Sequence, residues 1–392
     1  MLFIFYNFDN LDFDSTSFVN VYALETYDDD VDDDSTSSDI DFNYVFDPNE
    51  YLEEDTIPYQ NNINNNNNNQ IKQSTESEIN ENKEVKPPYD NLDINEKIND
   101  DEHFTQSFDT KDRDTNTNTN TDTNTNFNIV AVGDFDCNGE AEDTVENIID
   151  QNPEIVLALG DFSYSGDADC WLEMIEPITD KTKIVMGNHE DEDDYLDFFG
   201  LKEQYYSFNY KNIHFLALST ETDYDDESEQ YQFAIRDLEK YSKDPFIDWI
   251  IVFYHRHMYG SGSLEEETDF RETYHPLFDK YKVDLALQGH FHVYERTYPI
   301  TFNYDDDDEP LVQDNNPNIY KNPKGTIFVT VGTGGAHDMA LSSREDFSAE
   351  GVDGIFGILD IVLENDQKTL TGTFIENGKK KEVKDEFKIV KD

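Results

Sequence analysis

One arrangement recurs from Phe127 onward and restricts the fold more than any other feature: a short apolar run, then a residue able to bind a metal. Phe127 to Val132 ends in Gly133-Asp134, Ile155 to Leu159 in Gly160-Asp161, and Lys183 to Met186 in Gly187-Asn188-His189. Trp249 to Tyr254 ends in His255, and Val283 to Gln288 in Gly289-His290. Short apolar runs of this kind read as buried strands. Helical apolar spacing lies between several of them, at Glu140 to Ile149, near Trp171 and around Phe233 to Tyr241. Further strand-like segments follow at Ile213 to Leu218, Thr326 to Val331, Gly354 to Val362, Leu370 to Ile375 and Val383 to Val390. Strands alternating with helices, then several β-rich segments, predict mixed sheets covered by helices.

Each strand end alone has an ordinary explanation. A Gly-Asp pair is commonly a turn or a helix cap, and a lone loop histidine is commonly a surface residue. Five such ends in order are harder to dismiss, because in open α/β sheets ligands bind beyond the carboxyl ends of the strands. The residues placed there are Asp134, Asp161 with Tyr164, Asn188 with His189, His255, and His290 with His292. Carboxylate, imidazole, amide and phenolate donors together suit first-row transition metals better than calcium or magnesium.

Charge limits what such a site can serve. Lys plus Arg total 28 against 89 Asp plus Glu, a formal net charge of −61. This balance argues against nucleic acid or anionic membrane as the main partner, since phosphate backbones are repelled. Small phosphate esters are repelled too, but screening confines that field to about 8–10 Å at ordinary ionic strength. An anion site in this chain must make its own positive charge, and bound metals are the obvious source.

Residues 1–126 have a different texture. Tyr27 to Asp41 is dominated by aspartate and serine, 61–69 is almost all asparagine, and 114–126 largely alternates Thr and Asn. Such tracts bury too little apolar surface to offset chain entropy, so this third is expected to be mostly disordered, with Phe42 to Tyr59 the one conceivable β-rich stretch. Met1 to Tyr6 is apolar and Val21-Tyr22-Ala23 resembles a cleavage site, yet Asp9, Asp12 and Asp14 interrupt the run and no basic residue precedes it. Residues 1–23 read as a degraded export signal at best. No stretch is long enough to span a membrane. The two cysteines, Cys137 and Cys170, exclude a disulfide-rich scaffold and a four-cysteine zinc site. One disulfide between them and two buried thiols are the open readings. Cysteines and acidity tilt towards an extracytoplasmic or secreted location, and nothing in the sequence bears on oligomeric state.

The series V-G-D at 132–134, G-D-F-S-Y at 160–164, G-N-H-E at 187–190, V-F-Y-H at 252–255 and G-H-F-H-V-Y-E-R at 289–296 resembles the five-block signature of metallophosphoesterases. Tyr164, three residues after Asp161, and the Tyr294-Glu295-Arg296 extension are similar to the purple acid phosphatase branch. The resemblance implies a catalytic domain at 127–392 folded as a four-layer αββα sandwich, two mixed β-sheets flanked by helices. It implies a first metal, ferric iron, on Asp134, Asp161, Tyr164 and His292. A second, divalent metal (iron, zinc or manganese) falls to Asp161, Asn188, His255 and His290, with Asp161 bridging. Tyrosinate on ferric iron accounts for the family's purple colour. Two such ions about 3.5–4 Å apart activate water and stabilise attacking and leaving oxygens. The implied reaction is hydrolysis of phosphate monoesters by a metal-bound hydroxide. Two alternatives stay open: a phosphodiesterase or nucleotide pyrophosphatase on the same fold, and a non-catalytic, secreted acidic binding protein.

Beside the ligands, His189 is the expected general acid or phosphate contact, with a merely orienting role as the other reading. His257 stands where relatives often carry proline, and is expected either to touch substrate phosphate or to hold its loop. Asp136 stands where a glycine is common. His214 is expected to pack, His337 to border the pocket on the glycine-rich turn from Gly332 to Gly335, and His275 to matter less. Tyr294, Glu295 and Arg296 are expected to brace the ligand loop, and Asp305 to Glu309 to form a solvated acidic loop rather than a calcium site.

Overall fold

Strand Trp249–Phe253 is buried at all five positions, yet its side chains enter two different cores. Trp249, Ile251 and Phe253 join one apolar cluster, while Ile250 and Val252 join another. Successive strand residues point to opposite faces, so this strand lies in a sheet covered on both sides. The computed structural model describes residues 126–392, apart from positions 167, 191, 263 and 343. The expected disorder, β-rich stretch and export signal in the N-terminal third lie outside the described residues. Among the described residues, no helix is long and apolar enough to cross a membrane.

The described chain forms two seven-stranded sheets and one small two-stranded sheet. In the first sheet, Phe127–Val132 runs parallel to Ile155–Ala158, which runs parallel to Thr182–Ile184. On its other side Phe127–Val132 meets Gly357–Leu363 antiparallel, followed by Thr369–Glu376 and Val383–Val390, with Ile319–Lys321 at the edge. In the second sheet, Ile213–Ala217, Trp249–Phe253, Leu285–Gln288 and Ile327–Val331 are parallel neighbours. Tyr206–Tyr210 closes one edge; Tyr294–Thr297 and Ser348–Val352 close the other, all antiparallel.

The larger cluster is shared by both sheets, for example Ile129, Ala131 and Leu359 with Phe215, Leu287 and Val329. The second cluster joins the outer face of the second sheet to helices Glu229–Tyr241 and Thr268–Tyr281 through Leu238, Phe270, Tyr274 and Phe278. Helix Gly139–Gln151 packs on the first sheet; its Asn147 amide reaches the Ile375 carbonyl and Asn377 Oδ1. Helix, sheet, sheet, helix is the expected four-layer sandwich. The helix start is local chemistry: Asn138 Oδ1 accepts the Glu140 and Ala141 N–H groups at 2.9 and 3.0 Å.

Three features depart from or sharpen the sequence reading. Cys137 and Cys170 are joined in a disulfide, which ties the loop after Val132 to helix Ala168–Met174. The 33-residue separation sets the entropy removed from the unfolded chain. Replacing both cysteines by serine is therefore expected to lower stability by roughly 3–4 kcal/mol. Urea denaturation of the oxidised protein against the double variant measures this, and equal midpoints refute it. Second, Asp307 and Asp308 are no free solvated run: both pair with the guanidinium of Arg271, which is 0% exposed and also meets Glu266. Third, His214 packs as a paired group, with Nε2 2.6 Å from Asp237 Oδ2 and Nδ1 2.6 Å from Asn209 Oδ1.

Candidate metal centre

The chemistry-bearing loops leave the carboxyl ends of parallel strands in both sheets. Backbone bonds stitch them together. Gly133 N–H donates to Val331 O at 2.9 Å, joining the sheets, and Asp134 N–H donates to Gly160 O at 2.9 Å. Asp134, Asp161 and His290 all adopt left-handed backbone, with φ of 61°, 52° and 67°. Such conformations are uncommon outside glycine and concentrate at functional sites. Two glycines let the loops close. A Cβ on Gly187 would lie 2.2 Å from Asp161 Oδ1, and one on Gly160, which has φ +87°, would lie 2.6 Å from His255 Nδ1.

Two groups of donor atoms meet at Asp161. On one side, Tyr164 Oη lies 3.2 Å from Asp161 Oδ2, 3.2 Å from Asp134 Oδ1 and 2.8 Å from His292 Nε2. On the other side, His255 Nε2 lies 3.3 Å from Asp161 Oδ1 and 3.2 Å from His290 Nδ1. Asp161, His255 and His290 offer ligand atoms all within 4.8 Å of one another. One carboxylate thus presents one oxygen to each group.

The histidine tautomers follow from the other ring nitrogens. His255 Nδ1 is 2.7 Å from Leu159 O, and His292 Nδ1 is 2.6 Å from His337 O. A carbonyl only accepts, so each Nδ1 carries a proton and each Nε2 is turned towards the carboxylates. Metal-binding histidines are oriented in this way. His290 Nδ1 and His255 Nε2 face one another 3.2 Å apart, and a shared proton or a metal cation between them satisfies both. The donor set therefore fits a pair of transition-metal ions.

Electrostatics agree with a site that gathers positive charge. Burial opposes the His255 imidazolium, but Asp161, Asp134 and Glu190 outweigh it and push His255 up to about 10. Burial and the His255 charge push neighbouring His290 down to about 4. Burial acts to raise Asp161, yet His255 and His189 beside it hold the carboxyl well below its usual range. Burial, with Asp134 and Asp161, raises Tyr164 and keeps its phenol protonated; a bound cation reverses that logic.

Other expected residues are placed less directly. Asn188 is exposed at the turn after the third strand. His189 is also exposed, 43% at its side chain, with Nε2 4.0 Å from Asp161 Oδ2 and its backbone N–H donating to Asp161 Oδ1 at 3.1 Å. His257 is 1% exposed; its ring lies 5.5 Å from Phe291 and 5.9 Å from His290, and its Nδ1 has no partner. Its burial favours the loop-holding reading over contact with substrate phosphate.

Glu190 was missed by sequence reasoning beyond its place after His189. Its carboxylate accepts from the N–H groups of Asp161, Phe162 and Gly187 at 2.9, 2.7 and 2.5 Å, locking two ligand loops together. Burial and the nearby Asp161 charge raise it to about 7. The signal was its acidity in a strand-end turn, but two of its three targets, Asp161 and Phe162, lie 29 and 28 residues back in the chain.

A family model, calcineurin-like phosphoesterase, matches residues 127–294. A probable inactive purple acid phosphatase of Arabidopsis thaliana is 38% identical over 147 residues, covering 36% of this chain and 23% of the relative. Purple acid phosphatase 22 of the same plant is 31% identical over 150 residues, covering 38% of this chain and 31% of the relative. The chain thus spans about a quarter to a third of the length of these relatives. Among solved structures, a purple acid phosphatase from yellow lupin (Lupinus luteus) seeds superposes with a TM-score of 0.59 at 25% identity, over 69% of this chain and 54% of that one.

Proposed function

From the premise that residues 127–294 are a calcineurin-like metallophosphoesterase domain with purple acid phosphatases among its relatives, we propose that this protein is a metal-dependent phosphoesterase acting on phosphate monoesters. The single observation that carries the reading is Asp161, whose two oxygens face two separate donor groups. That is the arrangement a bridging carboxylate needs. We assign Asp134, Asp161, Tyr164 and His292 to a first ion, and Asp161, Asn188, His255 and His290 to a second. Ferric iron suits the phenolate-bearing side, and a divalent ion the imidazole-rich side. When bound, the two ions supply Lewis acidity for the phosphoryl oxygens and lower the pKa of water.

The chain's own groups do the rest. Glu190 keeps the Asp161 and Asn188 loops in register. The Leu159 and His337 carbonyls aim His255 and His292. His189, exposed and leaning on the Tyr164 ring at 4.4 Å, is the residue free to contact phosphate or give a proton to the leaving oxygen. His257 is assigned to support of the His290–Phe291 turn. The Cys137–Cys170 disulfide supports an oxidising, extracytoplasmic location.

The test is hydrolysis of an aryl phosphate monoester beside the matching diester by metal-loaded protein. Higher kcat/KM for the monoester is the expected result. Preference for the diester moves the function to phosphodiester cleavage, and turnover of neither defeats the enzyme reading for these substrates.

A further inference from the structure

Four aromatic rings form a chain of contacts at the site, with an exposed histidine at each end. His189 contacts Tyr164 at 4.4 Å between centroids, Tyr164 contacts His292 at 5.7 Å, and His292 contacts His337 at 4.9 Å. The inner two rings belong to the donor set. His337 has no place in the function proposed above beyond its backbone carbonyl.

The backbone of His337 is held from both sides. Ala336 N–H donates to Asp134 O at 2.9 Å, and Met339 N–H donates to His292 O at 3.3 Å. His292 Nδ1 donates to the His337 carbonyl itself at 2.6 Å. This segment cannot shift without disturbing Asp134 and His292. Its imidazole is nonetheless exposed, and among the described residues it takes no part in the hydrogen bonds that hold the rest of the site. A rigidly mounted, solvent-facing N–H donor beside a metal ligand is arranged for contact with a bound molecule.

The guanidinium near the site is already committed. Arg256 is the guanidinium whose charge reaches Asp161 and His290. Glu221 grips it with two bonds, 2.7 Å to Nε and 3.1 Å to Nη2, and Glu267 lies 3.9 Å from Nη1. An anionic group on a substrate, beyond the phosphoryl group itself, meets a neutralised arginine there and an unengaged imidazole at His337.

We propose that His337 is a specificity-determining residue that donates a hydrogen bond to a second anionic group carried by the leaving alcohol. The substrate class is then a phosphate monoester whose alcohol bears a carboxylate or another phosphate. The inference rests on the phosphoesterase reading above and narrows it.

Two non-hydrolysable phosphonates test it, propylphosphonate and 3-phosphonopropionate, which share a carbon chain and differ in a terminal carboxylate. Metal-loaded full-length protein is titrated with each by calorimetry. The wild type is expected to bind 3-phosphonopropionate about tenfold more tightly, the effect of one hydrogen bond to a charged group. His337→Ala is expected to abolish that ratio while propylphosphonate affinity stays within about twofold, and His337→Gln, which keeps an N–H donor, to restore part of it. Equal affinities in the wild type, or an unchanged ratio in His337→Ala, overturn the proposal. So does equal weakening of both ligands, which would place His337 behind His292 as support alone. A wild type that binds neither phosphonate defeats the phosphoesterase reading itself, a different failure.

Discussion

Asp161→Asn is expected to lower turnover of an aryl phosphate by on the order of 10³-fold or more, beyond the 10–100-fold typical of residues that only orient a ligand. The bound-metal count is expected to fall below two per chain. Asn is nearly isosteric with Asp, and it tolerates the left-handed backbone at this position, φ 52°. The backbone N–H still reaches Glu190, so the loop has reason to keep its shape. What is lost is one negative charge that faces both donor groups at once. An amide offers one neutral oxygen and an NH2 group with two N–H donors, and the donor side repels a cation. Metal analysis and steady-state kinetics on the same preparation decide the matter. A variant that keeps two metals and normal turnover removes Asp161 from the bridging role. Full metal content with lost turnover keeps the site but assigns the carboxylate to catalysis rather than binding.

Arg296→Ala is the second large effect, on stability: a loss of roughly 3–5 kcal/mol is expected. Arg296 lies in Tyr294–Thr297 of the second sheet, and its partner Asp385 in Val383–Val390 of the first. The pair is bidentate, Nε to Oδ2 at 2.7 Å and Nη2 to Oδ1 at 3.0 Å. Nη1 donates to Tyr320 Oη at 2.7 Å, and Tyr294 Oη donates to Asp385 Oδ2 at 2.7 Å. Both charges are nearly inaccessible, 1% and 6% exposed. Truncation strands the Asp385 carboxylate in the interior, and that penalty, rather than the worth of the pair, sets the size of the effect. A domain stabilised by about 5–15 kcal/mol loses much of its margin. Denaturant midpoints measure it, with Arg296→Met/Asp385→Leu as a second variant expected to regain much of the loss because no charge is left unpaired. A single-variant cost below about 1 kcal/mol refutes the buried-brace account.

These residues also show how far a sequence alone reaches. The parallel strands and their catalytic-type ends were legible because their signals are local: apolar runs of fixed length, followed by glycine and a metal-binding side chain. Phe127–Val132 and Val383–Val390 have the expected ends, and most others shift by one to three residues. Strand Tyr294–Thr297 was not legible as a strand. Glu295 and Arg296 look solvated in one dimension, and only partners such as Ser261 and Asp385 make their burial affordable. Tyr206–Tyr210 and Ser348–Val352 were likewise missed, since edge strands have one neighbour and a weaker apolar pattern.

The site divides in the same way. Residue types at strand ends placed Asp134, Asp161 with Tyr164, Asn188 with His189, His255, and His290 with His292 together, and the family resemblance implied which of them are metal ligands. Tertiary structure alone decided that Asp161 turns one oxygen to each donor group, that Glu190 locks two loops, and that His257 is buried while His337 is exposed. The physical reason is range. Backbone preference and apolar period are set by near neighbours, whereas the aim and exposure of a side chain depend on atoms brought close from more than a hundred residues away, as Asp134 Oδ2 is to the His290 N–H at 2.9 Å.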